Sequence, residues 1–445
     1  LTSEIQLFHS RPFPGRARAL ALAGLLILGA PAHAQGPAPA SAAALAEPAP
    51  APLTLAEAIA LALAKNPDIA MAQREFDASG GSALQAALRP NPELSIQQED
   101  FKRGRQTSTV QLTQTLELGG KRAARVAVAQ RVRDQAAADI ELARADVRSR
   151  AVVAFYEVLV AQARLHLAQS SLGLASGDAE ATAKRVRAGK LAPLEETRAK
   201  VAQAAAQAAL AQAEGHVRAA RQKLFALWGD THPRATPVIG SLDLPGDGLA
   251  DAVVGARMTA SPVLRRARLE LERAQAAVEL ERARRVADVT VSVGAKRSQE
   301  SGITAAVVGL SVPLPLFDRN QGNLEEALSR EEKAREALAA TELRLNADMA
   351  QAREQLRSAR AEAQTLQRDA IPGAREAYRA ASQGFQLGKF SYLEALDAQR
   401  TLVSTQTQYL RALLDTFRAA AELERLLSIA EAASPLLNPS QSPLP

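Results

Sequence analysis

Two patterns of apolar and polar positions run along this chain, and each occurs twice. In one, Val110, Leu112, Leu116 and Leu118 alternate with Gln111, Thr113, Thr115 and Glu117. Further on, Val289, Val291 and Val293 alternate with Thr290 and Ser292, while Val308, Leu310, Val312 and Leu314 alternate with Gly309 and Ser311. A period of two bounded by turn residues predicts strands. Four are expected, over about 92–101, 107–118, 288–297 and 303–314, with turns at 102–106 and 298–302. The other pattern is helical. Helices are predicted over 55–88 and 248–285, each leading into a strand pair. Residues 119–188 then contain no proline and are rich in Ala, Arg, Glu, Gln and Leu. Seventy helical residues at about 1.5 Å each reach roughly 105 Å. The corresponding second run is interrupted at Pro372-Gly373, which predicts a kink. Gly189 and Gly388 open short turns, after which helices are expected to run back over about 190–228 and 389–432.

The recurrence is a tandem duplication. PELSI at 92–96 matches ADVTV at 287–291, LEL at 116–118 matches LPL at 314–316, and GKLAPLE at 189–195 matches GKFSYLE at 388–394. The offsets are 195, 198 and 199 residues, in one order. The stretches 55–67 and 250–262 also end alike, each in a polar residue followed by proline. The chain therefore divides into a first repeat over 53–247 and a second over 248–433, each with a helix, two strands and a long helical hairpin. The expected fold is mainly α with a small β part.

Composition changes what the helices are for. Apolar residues make up 47% of the chain, yet aromatics are only 3% and cysteine is absent. Alanine favours helices that pack closely, whereas a broad globular core would use more aromatic and branched side chains. Zero cysteine excludes disulfide scaffolds, zinc ribbons, thiol nucleophiles and a lipid-anchored cysteine. The formal charge of +6 is spread as interleaved basic and acidic residues, the pattern of solvated helix faces and not of a nucleic-acid patch. Residues 1–34 read as an export signal: Arg11, Arg16 and Arg18 precede an apolar core at 19–30, and Ala32-His33-Ala34 supplies small residues for cleavage. The core is too short to span a bilayer, and no transmembrane helix is predicted later. Residues 35–52 form a Pro/Ala-rich tether and 434–445 a disordered tail.

Patterning alone leaves two readings of the strands: soluble hairpins packed on helices, or membrane strands. Membrane strands need about 9–11 residues, and four cannot close a barrel. Because unpaired strand edges are forbidden in lipid, several chains would have to share one barrel, and three chains give twelve strands. Gln111, Thr113, Thr115 and Glu117 would then line a wet lumen.

Over residues 53–432 the chain resembles the TolC family of trimeric outer-membrane efflux channels. The resemblance lies in the duplicated plan and in the tip segments VRAGKLAPLEETRAK and FQLGKFSYLEALDAQR. QTLELGGKRAARV at 114–126 and VPLPLFDRNQGNLEEA at 312–327 are similar to the heavy-metal, CzcC-type branch. This resemblance implies a homotrimer whose four strands per chain build a twelve-stranded barrel in outer-membrane lipid, above a helical tunnel in the periplasm. It implies docking of a periplasmic adaptor and an inner-membrane resistance-nodulation-division pump at the hairpin tips, around Gly189, Lys190 and Leu191 and around Gly388, Lys389 and Phe390. It also implies an acidic periplasmic gate at Glu195, Glu394 and Asp397, a ring of charge favouring cations. At the ninth position after the first tip glycine, Arg198 stands where the second repeat has Asp397.

Other classes fit less well. His9, His33, His166, His216 and His232 form no metal-ligand spacing, and neither a phosphate loop nor a nucleophile elbow is present. No enzyme activity, cofactor or metal site is expected. A periplasmic adaptor would carry one hairpin between β-domains, and a soluble coiled coil would show sustained Leu/Ile heptads. The cargo is open to heavy-metal cations such as cobalt, zinc or cadmium, and to drugs or other organic solutes.

Overall fold

Proline decides where the first helix of each repeat breaks. In the computed structural model, which describes residues 52–231, 236–246 and 251–427, the helix expected over 55–88 is two helices, α1 (Leu55–Lys65) and α2 (Pro67–Ala86). The export segment, the tether up to residue 51 and the 434–445 tail lie outside the described residues. Asn66, before Pro67, is extended at ψ 131°, because a proline ring disfavours helical geometry one residue upstream. Its side chain accepts from the Asp68 N–H at 2.9 Å and donates to the Leu227 carbonyl at 2.7 Å. The second repeat solves the same problem in the same way, between α5 (Asp251–Thr259) and α6 (Pro262–Arg284). There Ser261 is extended before Pro262 and donates to the Leu426 carbonyl at 3.2 Å. Both polar side chains are buried with partners, so the breaks are built joints.

Between α2 and α6 come strands β1 (Glu93–Glu99) and β2 (Thr107–Leu116), then α3 (Lys121–Arg187) and α4 (Pro193–Ala226). After α6 come β3 (Val289–Ser298) and β4 (Thr304–Ser311). The 67 residues of α3 extend about 100 Å. One stretch of α3 is long and apolar enough to cross a membrane by composition, contrary to expectation, yet half of it is buried inside the protomer. That makes it a core helix: Val147, Val152, Phe155, Val158 and Val160 are all fully buried. In the second repeat the long run is α7 (Gln321–Thr365), a π-helical turn at Leu366–Ala370, and α8 (Ile371–Gln386), with α9 (Tyr392–Leu427) returning. The distortion thus begins upstream of the expected Pro372-Gly373 kink. Pro372 has no N–H to offer the Arg368 carbonyl, so the irregularity falls on the preceding turn.

The four strands form one antiparallel sheet in the order β1-β2-β3-β4, so the pairing of β2 with β3 joins the two repeats. β1 stops short of residue 101 because Asp100 takes φ 50° and turns the chain. β4 ends before Pro313, which could not donate to a ladder. Among the described residues, β1 and β4 are both free edges.

The main core lies along the middle of the helices, where Tyr156 and Phe417 stack at 3.6 Å with planes 9° apart. A smaller cluster of Ala179, Ala199, Phe385, Tyr392, Ala395 and Leu396 sits by the hairpin tips. Small residues in both let the helices approach closely.

Candidate functional site

The register sorts the sheet into two faces. Leu94, Leu112, Val293 and Val308 stand in one row and Ile96, Val110, Ala295 and Ala306 in the next, all on one face. The other face carries Ser95 with Gln111, Glu93 with Thr113 and Ser292, and Thr115 with Thr290 and Ser311. Burial is the reverse of a soluble sheet. Ser292 is 8% exposed and Val293 beside it 56%. Gln111, Thr113 and Thr115 are half-buried, whereas Val110, Leu112 and Leu116 are exposed. An apolar face turned outward and a polar face turned inward suit hydrocarbon outside and water inside.

Glu117, expected in that polar row, lies past the end of β2. It accepts a bidentate ion pair from Arg125, whose guanidinium also donates to the Leu88 carbonyl at 3.1 Å. Arg122 donates to the Ala87 carbonyl at 2.6 Å, and Lys121 pairs with Asp288 at 2.7 Å. The LGGKRAAR segment therefore fastens the sheet to α2 and α6, and Glu117 belongs to that fastening. No periodicity marks this role, since most partners are backbone carbonyls distant in sequence.

The hairpin tips repeat one motif. Gly189 at φ 70° follows α3, and Lys190 N–H donates to the Arg185 carbonyl at 2.9 Å. Gly388 at φ 74° follows α8, and Lys389 N–H donates to the Gly384 carbonyl at 2.8 Å. This is the helix ending that a left-handed glycine permits. Gly384 is needed for a second reason: a β-carbon there would stand 2.1 Å from the Phe390 ring. Leu191 packs half-buried on the tip cluster, while Lys190, Lys389 and the half-covered ring of Phe390 face solvent. Arg185 joins the two tips. Its guanidinium donates to the Phe385 and Gln386 carbonyls, each at 2.9 Å, and lies 4.7 Å from the centre of the Phe385 ring.

The three acids proposed for the gate differ in their surroundings. Glu195 is half-buried and paired with Arg198 at 2.9 Å, so the basic residue at the ninth position neutralises the acidic one at the sixth. It faces the Tyr392 side, whose hydroxyl burial pushes up to about 12 with help from the charges of Asp178 and Glu195. Glu394 is exposed and forms a capping box, accepting from the Ser391 N–H at 2.7 Å and hydroxyl at 2.9 Å. Those bonds, the backbone one foremost, hold its carboxyl below the usual carboxylate range. Asp397 is exposed one turn further along α9, with no ion pair to it among the described residues. Also among the described residues, no three His, Asp or Glu side chains converge as a metal site. His166 and His216 stand apart on α3 and α4, and His232 lies outside the described residues.

Comparison with known proteins agrees with this geometry. The family described as "Outer membrane efflux protein" matches twice, over residues 58–230 and 258–428, one match per repeat. The cobalt-zinc-cadmium resistance protein CzcC of Cupriavidus metallidurans is 42% identical over 362 residues, covering 81% of this chain and 87% of that protein. The nickel-cobalt-cadmium resistance protein NccC of Alcaligenes xylosoxydans xylosoxydans is 32% identical over 240 residues, 54% of each chain. Among solved structures, the outer membrane protein VceC of Vibrio cholerae superposes with a TM-score of 0.71 at 22% identity, covering 84% of this chain and 95% of VceC. With both repeats matched and a relative this similar over most of its length, the chain belongs to the outer membrane efflux protein family.

Proposed function

We propose that this protein is the outer-membrane exit duct of a tripartite efflux system that expels divalent heavy-metal cations of the cobalt, zinc and cadmium kind. The observation that carries the reading is the 42% identity, over 81% of the chain, to a cobalt-zinc-cadmium resistance protein. The inside-out sheet supports a membrane barrel. Its free β1 and β4 edges support a homotrimer, because pairing β4 of one chain with β1 of the next satisfies in lipid the backbone groups a single chain leaves open. Gln111, Thr113 and Thr115 then line the lumen. The duct is passive: an inner-membrane pump of the resistance-nodulation-division class supplies the energy, and a periplasmic adaptor docks on the tips at Gly189–Leu191 and Gly388–Phe390. No catalytic step belongs to this reading.

At the tip the gate charge rests on Asp397, repeated three times, with Glu394 beside it as both cap and charge. Glu195, paired inside the protomer with Arg198, positions the first tip. A deletion strain should lose resistance to cobalt, zinc or cadmium and keep its resistance to drugs. Sensitivity to drugs alone would refute the metal assignment. In planar bilayers, Asp397→Asn trimers should show weaker cation preference and less block by multivalent cations; unchanged selectivity and block would remove Asp397 from the gate.

A further inference from the structure

The apolar face of the sheet ends, at the end remote from the helices, in the row Gln98, Ser108, Arg297 and Thr304. Arg297 is exposed and shares its face with Val291, Val293 and Ala295, the side turned to lipid. Just beyond it the β1–β2 turn carries Lys102 and Arg103, both exposed, next to Phe101, which is 80% exposed. An aromatic ring between an apolar band and basic residues marks the level where a bilayer gives way to headgroups.

The carboxylates at this rim have other partners. Glu99 pairs with Lys296 at 3.2 Å, on the polar face of the sheet, and Glu300 with Arg105 at 3.6 Å. Asp100 accepts the Lys102 backbone N–H at 3.1 Å within the turn. Among the described residues no ion pair engages Lys102, Arg103 or Arg297. Three exposed cations thus stand without carboxylate partners at the outer end of the sheet, Arg297 on its apolar face and Lys102 and Arg103 in the adjoining turn.

We propose that Lys102, Arg103 and Arg297 form a binding site for the phosphorylated headgroup of an outer-leaflet acyl glycolipid, of the lipid A class. The acyl chains lie on the rows of Leu94, Ile96, Val293 and Val308, and a headgroup phosphate meets the cations above them. The chemistry fits in both parts. A guanidinium fork matches phosphate oxygens in a bidentate way, and a lysine adds a point charge. The apolar rows bind the same molecule's hydrocarbon, so a soluble phosphate would satisfy only half of the site. The proposal rests on the outer-membrane position of the sheet and is independent of which cargo the duct carries.

The test uses the purified full-length trimer in detergent, with lipid binding read by native mass spectrometry and by the shift in melting temperature. The probes are diphosphorylated lipid A, dephosphorylated lipid A, phosphatidylglycerol and inorganic phosphate. Diphosphorylated lipid A should bind wild type and raise its melting temperature. Lys102→Gln/Arg103→Gln/Arg297→Gln should weaken it at least about tenfold, as expected for the loss of several charge-assisted contacts. Arg357→Gln/Arg379→Gln, which removes two exposed charges from α7 and α8, should bind like wild type. Equal binding of the phosphorylated and dephosphorylated lipids, or by the triple variant and wild type, would overturn the site. Equal binding of phosphatidylglycerol would overturn the glycolipid assignment, and a shift with inorganic phosphate alone would overturn the role of the apolar rows. Should the triple variant fail to assemble, the comparison of the four probes on wild type, repeated on Arg297→Gln, decides the question.

Discussion

Removing Arg185 tests whether the two hairpin tips of a protomer move as one body. The guanidinium, on the last turn of α3, holds the Phe385 and Gln386 carbonyls at 2.9 Å each and lies over the Phe385 ring at 4.7 Å. Those carbonyls are the negative end of α8, which a cation favours. A hydrogen bond with one charged partner contributes about 1.5–3 kcal/mol, and an exposed cation–π contact roughly 0.5–1 kcal/mol. Arg185 is only half-buried and Gln386 is exposed, so water competes for the outer bond. A net latch of about 2 kcal/mol remains, worth roughly thirtyfold in the ratio of separated to joined tips. The chain has no cysteine, so Lys190→Cys/Lys389→Cys can carry two spin labels without background labelling. In that labelled protein, Arg185→Ala should broaden the distance distribution between the tips and raise the frequency of full-conductance openings in bilayers. Arg185→Lys should resemble Arg185→Ala, because an ammonium lacks the planar fork that spans two carbonyls. An unchanged distance distribution together with unchanged openings would refute the latch.

Two further predictions concern the helical core. Phe417→Ala deletes a ring that is 1% exposed and stacked on Tyr156, a change that costs roughly 3–5 kcal/mol, and should lower the midpoint of thermal unfolding by circular dichroism; an unchanged midpoint would mean the stack contributes nothing. For Glu157, burial raises the carboxyl, but the bonds from Arg418 at 2.8 Å and Lys223 at 2.7 Å outweigh it and carry the group below 4.5. A depressed folded-state value gives stabilisation that is present above about pH 4.5 and lost as pH falls through the lower value. Wild type should therefore lose stability faster than Glu157→Gln on acidification below that point, and parallel pH profiles would refute the pairing.

Most of the architecture could be read from period and punctuation. The alternation at 107–116 and 289–298 marks strands whose register then follows, and Gly189 and Gly388 mark the turns where long helices end. Other features lay beyond that kind of reading, for physical reasons. Asn66 and Ser261 looked like signs of duplication, yet each is a joint, because its bond runs to a carbonyl at the far end of its repeat. Glu117 continued the polar alternation but left the strand, since an arginine eight residues on captured it. Glu195, Glu394 and Asp397 looked alike by position in the tip motif. Their neighbours made one an ion-pair partner, one a cap and one an exposed charge. Arg185 gave no signal at all, because its ligands are backbone carbonyls about 200 residues away.

Along the helices, many arginines are paired with carboxylates three or four residues away, as Arg273 is with Glu270, Arg357 with Glu354 and Arg379 with Glu376. Exposed pairs of this kind contribute little stability, but they leave the wall with small local fields, which suits a conduit that should not hold its cargo. Among the described residues, Asp397, Lys190 and Lys389 at the hairpin tip have no ion pair, and neither do Lys102, Arg103 and Arg297 at the outer rim of the sheet. In the proposed gate Asp397 would draw cations to the periplasmic mouth, while at the outer end of the sheet's polar face Lys296 is neutralised by Glu99. Removing that neutralisation is informative for the same reason. In the proposed trimer, Glu99→Gln would expose three lysines around the exit, and a cation duct carrying it should conduct cations less well than wild type, with the deficit shrinking as salt screens the ring. Unaltered cation conductance at low salt would mean that the exit charge balance has no bearing on transport.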